Sequence, residues 1–175
     1  MKIVLHICCG VCAAGVAERL IREEHFVLGF FYNPNIHLLE EYQRRLEVAR
    51  TVARKMGFPL EVAPYVPEKW FEKTAGLENE PEGGTRCQVC FRLRLEKTYL
   101  FMKERGGDVF TTTLTVSPHK SAAVINQVGQ EIGEEKFLAR DFKKQEGFKR
   151  TMALAREWTL YRQDYCGCIY SMRQS

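Results

Sequence analysis

Seven cysteines carry most of the chemistry this chain can offer, and six fall in three tight groups: Cys8-Cys9, Cys87-Gln88-Val89-Cys90 and Cys166-Gly167-Cys168. Adjacent cysteines at a strand end, where the chain turns, can aim both sulfurs into one cavity. A helix beginning just behind Cys8 and Cys9 would favour the thiolate, the form that binds metal or attacks an electrophile. Cys87 and Cys90, three apart at a helix start, share one face and can grip the same metal. Together the two groups supply four thiolates, enough for tetrahedral zinc or for an iron-sulfur cluster. The spacing is neither that of a paired-CxxC zinc ribbon nor that of a common ferredoxin, so both metals stay open. A disulfide between Cys166 and Cys168 would close a small ring tolerable because its middle residue is Gly167, and such a strained bond is the labile, redox-active kind. Two reduced thiols are the other reading. Cys12 reads first as a core residue of the first helix and second as an alternative ligand.

The elements that must place these groups alternate between strand and helix patterns. Continuous apolar runs at 3–7 and Phe26 to Tyr32 read as buried strands, and Pro59 to Tyr65 and Val109 to Leu114 as two more. Helical spacing runs from Cys12 to Glu24, from Leu38 to Met56 with Gly57 as its stop, from Arg86 to Arg105 and from Ser121 to Gly133. A short helix over Pro67 to Ala75, a weak strand near Phe137 and a final helix from Phe148 to Tyr161 complete the pattern. This cadence predicts an α/β fold, a three-layer Rossmann-like parallel sheet wrapped by helices, in one domain spanning 1–175. In such sheets the site lies beyond the carboxyl ends of the strands, where Cys8, Cys9, Asn33-Pro34-Asn35 and Thr115 to Pro118 all fall.

Composition sets the class. The chain has 175 residues, 45% of them apolar and 27% charged, enough for one substantial core. No 18-residue apolar stretch and no basic leader before an apolar segment is present, which predicts a cytoplasmic protein with no membrane partner. In the cytosol most thiols stay reduced, so seven cysteines point to metal or redox use. The net charge of +4 permits nucleic-acid contact without demanding it. Its one concentrated stretch is RDFKKQEGFKR, from Arg140 to Arg150.

The CC-x-x-C start, YNPNIH followed by EYQRR, RCQVCFRLRL, TTTLTVSPHK, DFKKQEGFKR and YRQDYCGCIYS resemble, in this order, the QueH-type epoxyqueuosine reductases. The resemblance covers nearly the whole chain, with Thr151 standing where the family often has Ser. It implies a fold of the adenine-nucleotide hydrolase kind and removal of the epoxide oxygen of epoxyqueuosine at the tRNA wobble position. It also implies a 4Fe-4S cluster held by Cys8, Cys9, Cys87 and Cys90, a redox-active Cys166–Cys168 disulfide, an additional iron ion near the cluster and an unidentified electron donor. The segment from about 140 to 175 is expected to contribute to the active site.

For that chemistry Asp141 and Asp164 are candidates for metal ligand or proton donor, with a surface or capping carboxylate as the plain alternative. His6 reads as a hydrogen-bonded core histidine and His37 as a possible acid. Lys143, Lys144, Lys149 and Arg150 could hold anticodon phosphates, or form a solvated helix end. Tyr161, Arg162 and Tyr165 could stack on bases, while Tyr32, Asn33 and Asn35 could line the base pocket or simply form a turn. Two rival classes remain: a zinc-thiolate tRNA-binding module, and an ATP-dependent tRNA-modifying enzyme, whose first strand should lead into a Gly/Ser-rich phosphate loop.

Overall fold

A computed structural model describes residues 1–172. Four strands, β1 (Lys2–His6), β2 (Phe26–Phe31), β3 (Leu60–Val62) and β4 (Val109–Thr112), form one parallel sheet in the order β3-β2-β1-β4. β1 pairs with β2 and with β4, Leu5 lying opposite Gly29 on one side and Thr111 on the other. The chain therefore steps outward from β1 to β3, then returns to the far side of β1. Between β1 and β4 the following loops part in opposite directions, which leaves a crevice beyond their carboxyl ends. The weak strand expected at Phe137 is a single bridge to Phe110.

Six helices, α1 (Gly10–Arg22), α2 (Leu39–Met56), α3 (Pro67–Thr74), α4 (Thr85–Glu104), α5 (Ala122–Gly133) and α6 (Gly147–Glu157), cover both faces. One core packs α1, α2 and α6 against the sheet through Ile3, Leu5, Leu20, Leu46 and Leu154. The other packs α4 and α5 against it through Val4, Phe30, Leu95, Phe110 and Ile125. This is the three-layer arrangement the alternating pattern predicts. Among the described residues no helix is long and apolar enough to cross a membrane.

The helix ends follow local rules. α2 carries Glu40 and Glu41 in its first turn and Arg54 and Lys55 in its last, opposite to the helix dipole at each end, and Gly57 at φ 74° stops it. α1 starts two residues earlier than its apolar periodicity predicts, because Cys9 is extended and its sulfur accepts from the Cys12 N–H as an N-cap. Its small residues Gly10, Ala13, Ala14 and Ala17 are all buried, so the helix packs closely between α2 and α6. A Cβ on Gly10 would come within 2.5 Å of the Val48 carbonyl carbon in α2. Gly10→Ala is therefore expected to push α1 outward and lower stability by about 2 kcal/mol, read as a reduced denaturant midpoint at unchanged slope.

Candidate active site

The carboxyl edge of the sheet opens on a cleft of about 430 Å³, lined by Cys8 from the first loop, Cys12 from the first turn of α1, Cys166 from the C-terminal strap, and Arg94, Lys120 and Asp164 among others. A recess of about 200 Å³ shares Asn35, Arg94, Lys120 and Cys166 with it and adds Cys87, Cys90 and Cys168. Thiols from the first loop, α4 and the C-terminal strap thus surround one compound cavity.

At its floor Cys8, Cys9 and Cys12 have sulfurs within 4.8 Å of one another, the sole group of three or more potential ligands so close among the described residues. Cys12 is therefore no simple core residue: it is half-buried and stands on the first turn of α1 facing the strand end. Hydrogen bonds from the Cys12 and Cys9 thiols, and then the charge of Lys120 and the Thr113 hydroxyl, hold Cys8 well below the ordinary thiol range against its burial. The Thr113 hydroxyl lies 3.1 Å from the Cys8 sulfur. Cys12 is pushed far up by donating to Cys8 and Cys9 and by burial. Although Cys12 also donates to Cys9, the Cys8 thiolate and burial push the Cys9 thiol up to about 12. The triad is one thiolate served by two thiols.

The second group behaves differently. Burial raises Cys87 and Cys90. Cys87 accepts from the Gly83 N–H at 3.2 Å and Cys90 from an Arg94 Nη2 at 3.2 Å. Buried Arg86 fixes the Gly83 loop by donating to the Leu77, Glu78 and Glu80 carbonyls.

All seven cysteines are free, so the Cys166–Cys168 disulfide implied by the resemblance is not formed. Gly167, at φ 145°, lets the strap turn so that Cys166 lines the cleft while Cys168 packs behind it on Trp70 and Cys90. Two buried residues hold this turn. Arg45, paired to Glu41 at 2.8 Å, donates to the carbonyls of Cys166 at 2.7 Å and Tyr165 at 2.9 Å. His37 donates its backbone N–H to the Gly167 carbonyl at 2.8 Å and accepts at Nδ1 from the Ile169 N–H at 3.0 Å. With Nε2 donating to the Pro34 carbonyl, the ring is a neutral clamp, and burial keeps its pKa low. His37 is thus not the acid suggested by its position in the sequence.

Other expected site residues lie elsewhere. Tyr32 is in the α4-side core beside Phe30, because alternation along β2 points both the same way. Asn33 spends its amide on the Ile7 carbonyl at 2.8 Å. Asn35 does face the cavity, with a buried Oδ1 that has no partner. Asp141 accepts from the Lys143 backbone N–H and pairs with its ammonium, which also braces the carbonyls of Thr115 and Lys120. Neither residue lines the cleft. Lys149 and Arg150 line a separate groove of about 320 Å³ between α1 and α6, where Arg150 pairs with Glu18 and Arg19 donates to the Lys144 carbonyl. At about 1.5 Å per residue, Arg19 is roughly 10 Å along α1 from Cys12. Arg162 is exposed on the strap, and Tyr161 donates to Glu41. Asp164 remains the carboxylate in the cleft of the two proposed. The cations sequence reasoning missed are Arg94 and Lys120.

His6 lies beneath the cleft, fully buried between Thr112 Oγ1 at 3.0 Å and the Tyr32 carbonyl at 3.2 Å. Burial, then the charge of Arg94, lowers its pKa to about 4, so it is a neutral core group.

Comparison with known proteins follows this geometry. The chain matches the family described as "Epoxyqueuosine reductase QueH" over residues 3–174. It is 40% identical to an epoxyqueuosine reductase QueH of Streptococcus pyogenes serotype M1, covering 98% of this chain and 71% of that one. A Thermotoga maritima protein of the same description is 33% identical over 97% of this chain and 90% of its own length. Among solved structures, the U34-tRNA thiolase NcsA from Methanococcus maripaludis, determined with its [4Fe-4S] cluster, superposes with a TM-score of 0.61 at 14% identity, over 99% of this chain and 62% of the thiolase. A predicted subunit of tRNA methyltransferase from Methanocaldococcus jannaschii gives 0.54 at 16% identity, over 90% of this chain and 75% of that one. Both likenesses concern the fold.

Two outcomes test the electrostatics. In metal-free protein near neutral pH, iodoacetamide should label Cys8 before Cys9 or Cys12 in peptide mass spectra, and Thr113→Val should slow that labelling about threefold, the value of one modest hydrogen bond. The native state keeps His6 neutral while the unfolded chain takes up a proton. Its stabilising effect is therefore whole above pH 6.5 and lost as the pH falls toward 4. At about 1.4 kcal/mol per pKa unit the loss is about 3 kcal/mol, and His6→Gln should flatten that part of a stability-against-pH curve.

Proposed function

The chain belongs to the QueH family of epoxyqueuosine reductases, which are oxidoreductases, and on that footing we propose that it reduces the epoxide of epoxyqueuosine in tRNA to the alkene of queuosine. The observation that carries this reading is the convergence of thiols from three distant segments on one cleft that also holds buried positive charge. The six sulfurs lining the compound cavity, with Cys9 beside Cys8, are a donor set suited to an anionic iron-sulfur centre, and Arg94 and Lys120 supply the opposite charge. Cys8 and Cys9 from the first loop and Cys87 and Cys90 from α4 would hold a 4Fe-4S cluster. When bound, it would supply low-potential electrons one at a time. Cys12, Glu82, His119 and Asp164 also line that cleft and are the candidate donors for an additional iron ion.

The chain's own residues account for the rest. Opening the epoxide to an alkene and water consumes two electrons and two protons. Closing a dithiol to a disulfide releases the same number of each, so the reduced Cys166 and Cys168 would balance the step by themselves, and an external electron donor, acting one electron at a time by way of the cluster, would return the disulfide to the dithiol. Cys166 presents its sulfur to the cleft, and Arg45 and His37 hold it there. The unpartnered Oδ1 of Asn35 is placed to accept a hydrogen bond from the everted nucleotide, and Asp164 to pass a proton. Lys144, Lys149 and Arg150, remote from the thiols, would meet backbone phosphates outside the reacting nucleotide.

Anaerobic reconstitution with iron and sulfide, followed by a reductant-driven assay on tRNA carrying epoxyqueuosine, tests the whole. Cys87→Ser should lose the iron and the broad visible absorption, whereas Cys166→Ser should keep both and lose turnover at least a hundredfold, on the order of 3 kcal/mol of barrier. Equal metal loss in both variants would refute the division of roles.

A further inference from the structure

Three arginines are buried to about the same degree, and they differ in what balances their charge: Arg45, Arg86 and Arg94 are each 2% exposed. Arg45 is paired with Glu41, and Arg86 is spent on three loop carbonyls. Arg94 has neither arrangement. Its Nε donates to the carbonyl of Cys90 at 3.3 Å, one turn back on α4, and one Nη2 proton goes to the Cys90 sulfur at 3.2 Å. A guanidinium offers five N–H donors in a fixed fork. Two of the five have partners here, and Arg94 lines both the cleft and the recess. Burial works against its charge, and the groups that favour it are sulfurs: Cys90 first, then Cys166 and Cys8. Lys120 stands on the same shared wall, opposed by burial and favoured by Cys166, Cys8 and Cys12. Among the described residues no carboxylate pairs with either.

A buried guanidinium without a carboxylate is costly unless an anion meets it. The one Cys8 thiolate cannot balance both Arg94 and Lys120, and a set of thiolates on a metal would. We propose that Arg94, with Lys120 behind it, is the counter-charge of the sulfur centre, a positioning residue that acts through Cys90 to raise the reduction potential of the cluster and to hold its thiolates. The proposal rests on the cluster assignment made above. Electrostatics gives its sign: a fixed positive charge favours the more negative, reduced state, so removing that charge makes the potential more negative.

Arg94→Gln, Arg94→Lys and, separately, Lys120→Gln are to be compared with the unaltered chain after anaerobic reconstitution. The readouts are iron and sulfide per chain, the paramagnetic resonance of the reduced cluster and its midpoint potential by dye-mediated titration. Arg94→Gln should shift the reduction equilibrium about tenfold to a hundredfold toward the oxidised form, about 60 to 120 mV for one electron, or shed the cluster with its circular dichroism unchanged. Arg94→Lys should recover most of either loss, and Lys120→Gln should shift the potential by less in the same direction. The proposal is overturned if Arg94→Gln and Arg94→Lys behave alike, since shape and not charge would then matter. It is overturned equally if Arg94→Gln keeps the cluster at the original potential. Should Arg94→Gln fail to fold, Lys120→Gln decides: a shift of the same sign supports the proposal, and an unchanged potential ends it. An unaltered chain that takes up zinc or nothing from an iron and sulfide mixture removes the cluster assignment and this inference together, an outcome distinct from all the others.

Discussion

One threonine side chain ties the two halves of the sheet's open edge together. Thr113 accepts the Cys8 backbone N–H and returns its own proton to the Cys8 sulfur, both at 3.1 Å. β1 and β4 are adjacent in the sheet, yet Cys8 and Thr113 just beyond them are 105 residues apart in the chain, and the loops beyond the strands run to opposite faces. Asn33 on the Ile7 carbonyl and His6 on the Thr112 hydroxyl steady the approach to the turn, and Thr113 is the group that reaches Cys8 itself. With the link, the sulfur that is held as a thiolate sits at a defined height above β4, and the thiols of Cys9 and Cys12 complete its coordination by hydrogen bonds. The switch point of a parallel sheet is where such a gap must exist, so the same topology that opens the crevice also requires a group to bridge it.

Charge then organises what the topology brings together. A thiolate in a nonpolar pocket is penalised by desolvation, and so is a buried guanidinium; each becomes tolerable near the other. The path runs from Arg94 to Cys90 on one side and toward Cys8 and Cys166 on the other. His6, just beneath, is disfavoured as a cation by burial first and then by the like charge of Arg94, so it gains no proton in the native protein near neutrality. The titratable side chains on the open side include the thiols, Glu82, His119, Lys120 and Asp164.

Much of the fold was legible because its signals were local and repeated. The apolar run at Phe26 and the helix stop at Gly57 needed no tertiary information. The misplacements have particular causes. Cys12 reads first as core because a lone cysteine on an amphipathic helix usually is; the clue favouring its second reading, as a ligand, is the spacing of Cys9 and Cys12, the N-cap to N3 interval at which side chain and backbone meet. Arg94 was passed over because a charge within a helix is normally on its wet face, and α4 has buried arginines on the side that meets the thiols. Lys143 and Asp141 looked like site residues and instead neutralise each other while bracing the loop after β4. Whether Cys166 and Cys168 are bonded depends on the electrons present, which no sequence records.

The C-terminal strap shows how little of a site's geometry need reside in the segment that carries the reactive atom. Residues 163–168 have no helix or strand of their own, and the carbonyls of Tyr165, Cys166 and Gly167 are taken by groups of α2 and the segment before it. Arg45 in α2 takes two consecutive carbonyls in one fork, and its guanidinium lies 5.0 Å from the Tyr165 ring; His37 just before α2 takes the next carbonyl and the next free N–H. The Tyr165 hydroxyl returns a bond to the His37 carbonyl. A lysine at position 45 could not make the paired contact, since its ammonium lacks the planar fork. α2 in turn is fixed by its packing on α1, whose first turn carries Cys12 and whose N-cap is Cys9. Both ends of the cleft, the triad and Cys166, are therefore referenced to one helix pair, and a shift of α1 against α2 would move the two sets of sulfurs relative to each other before it disturbed either set alone.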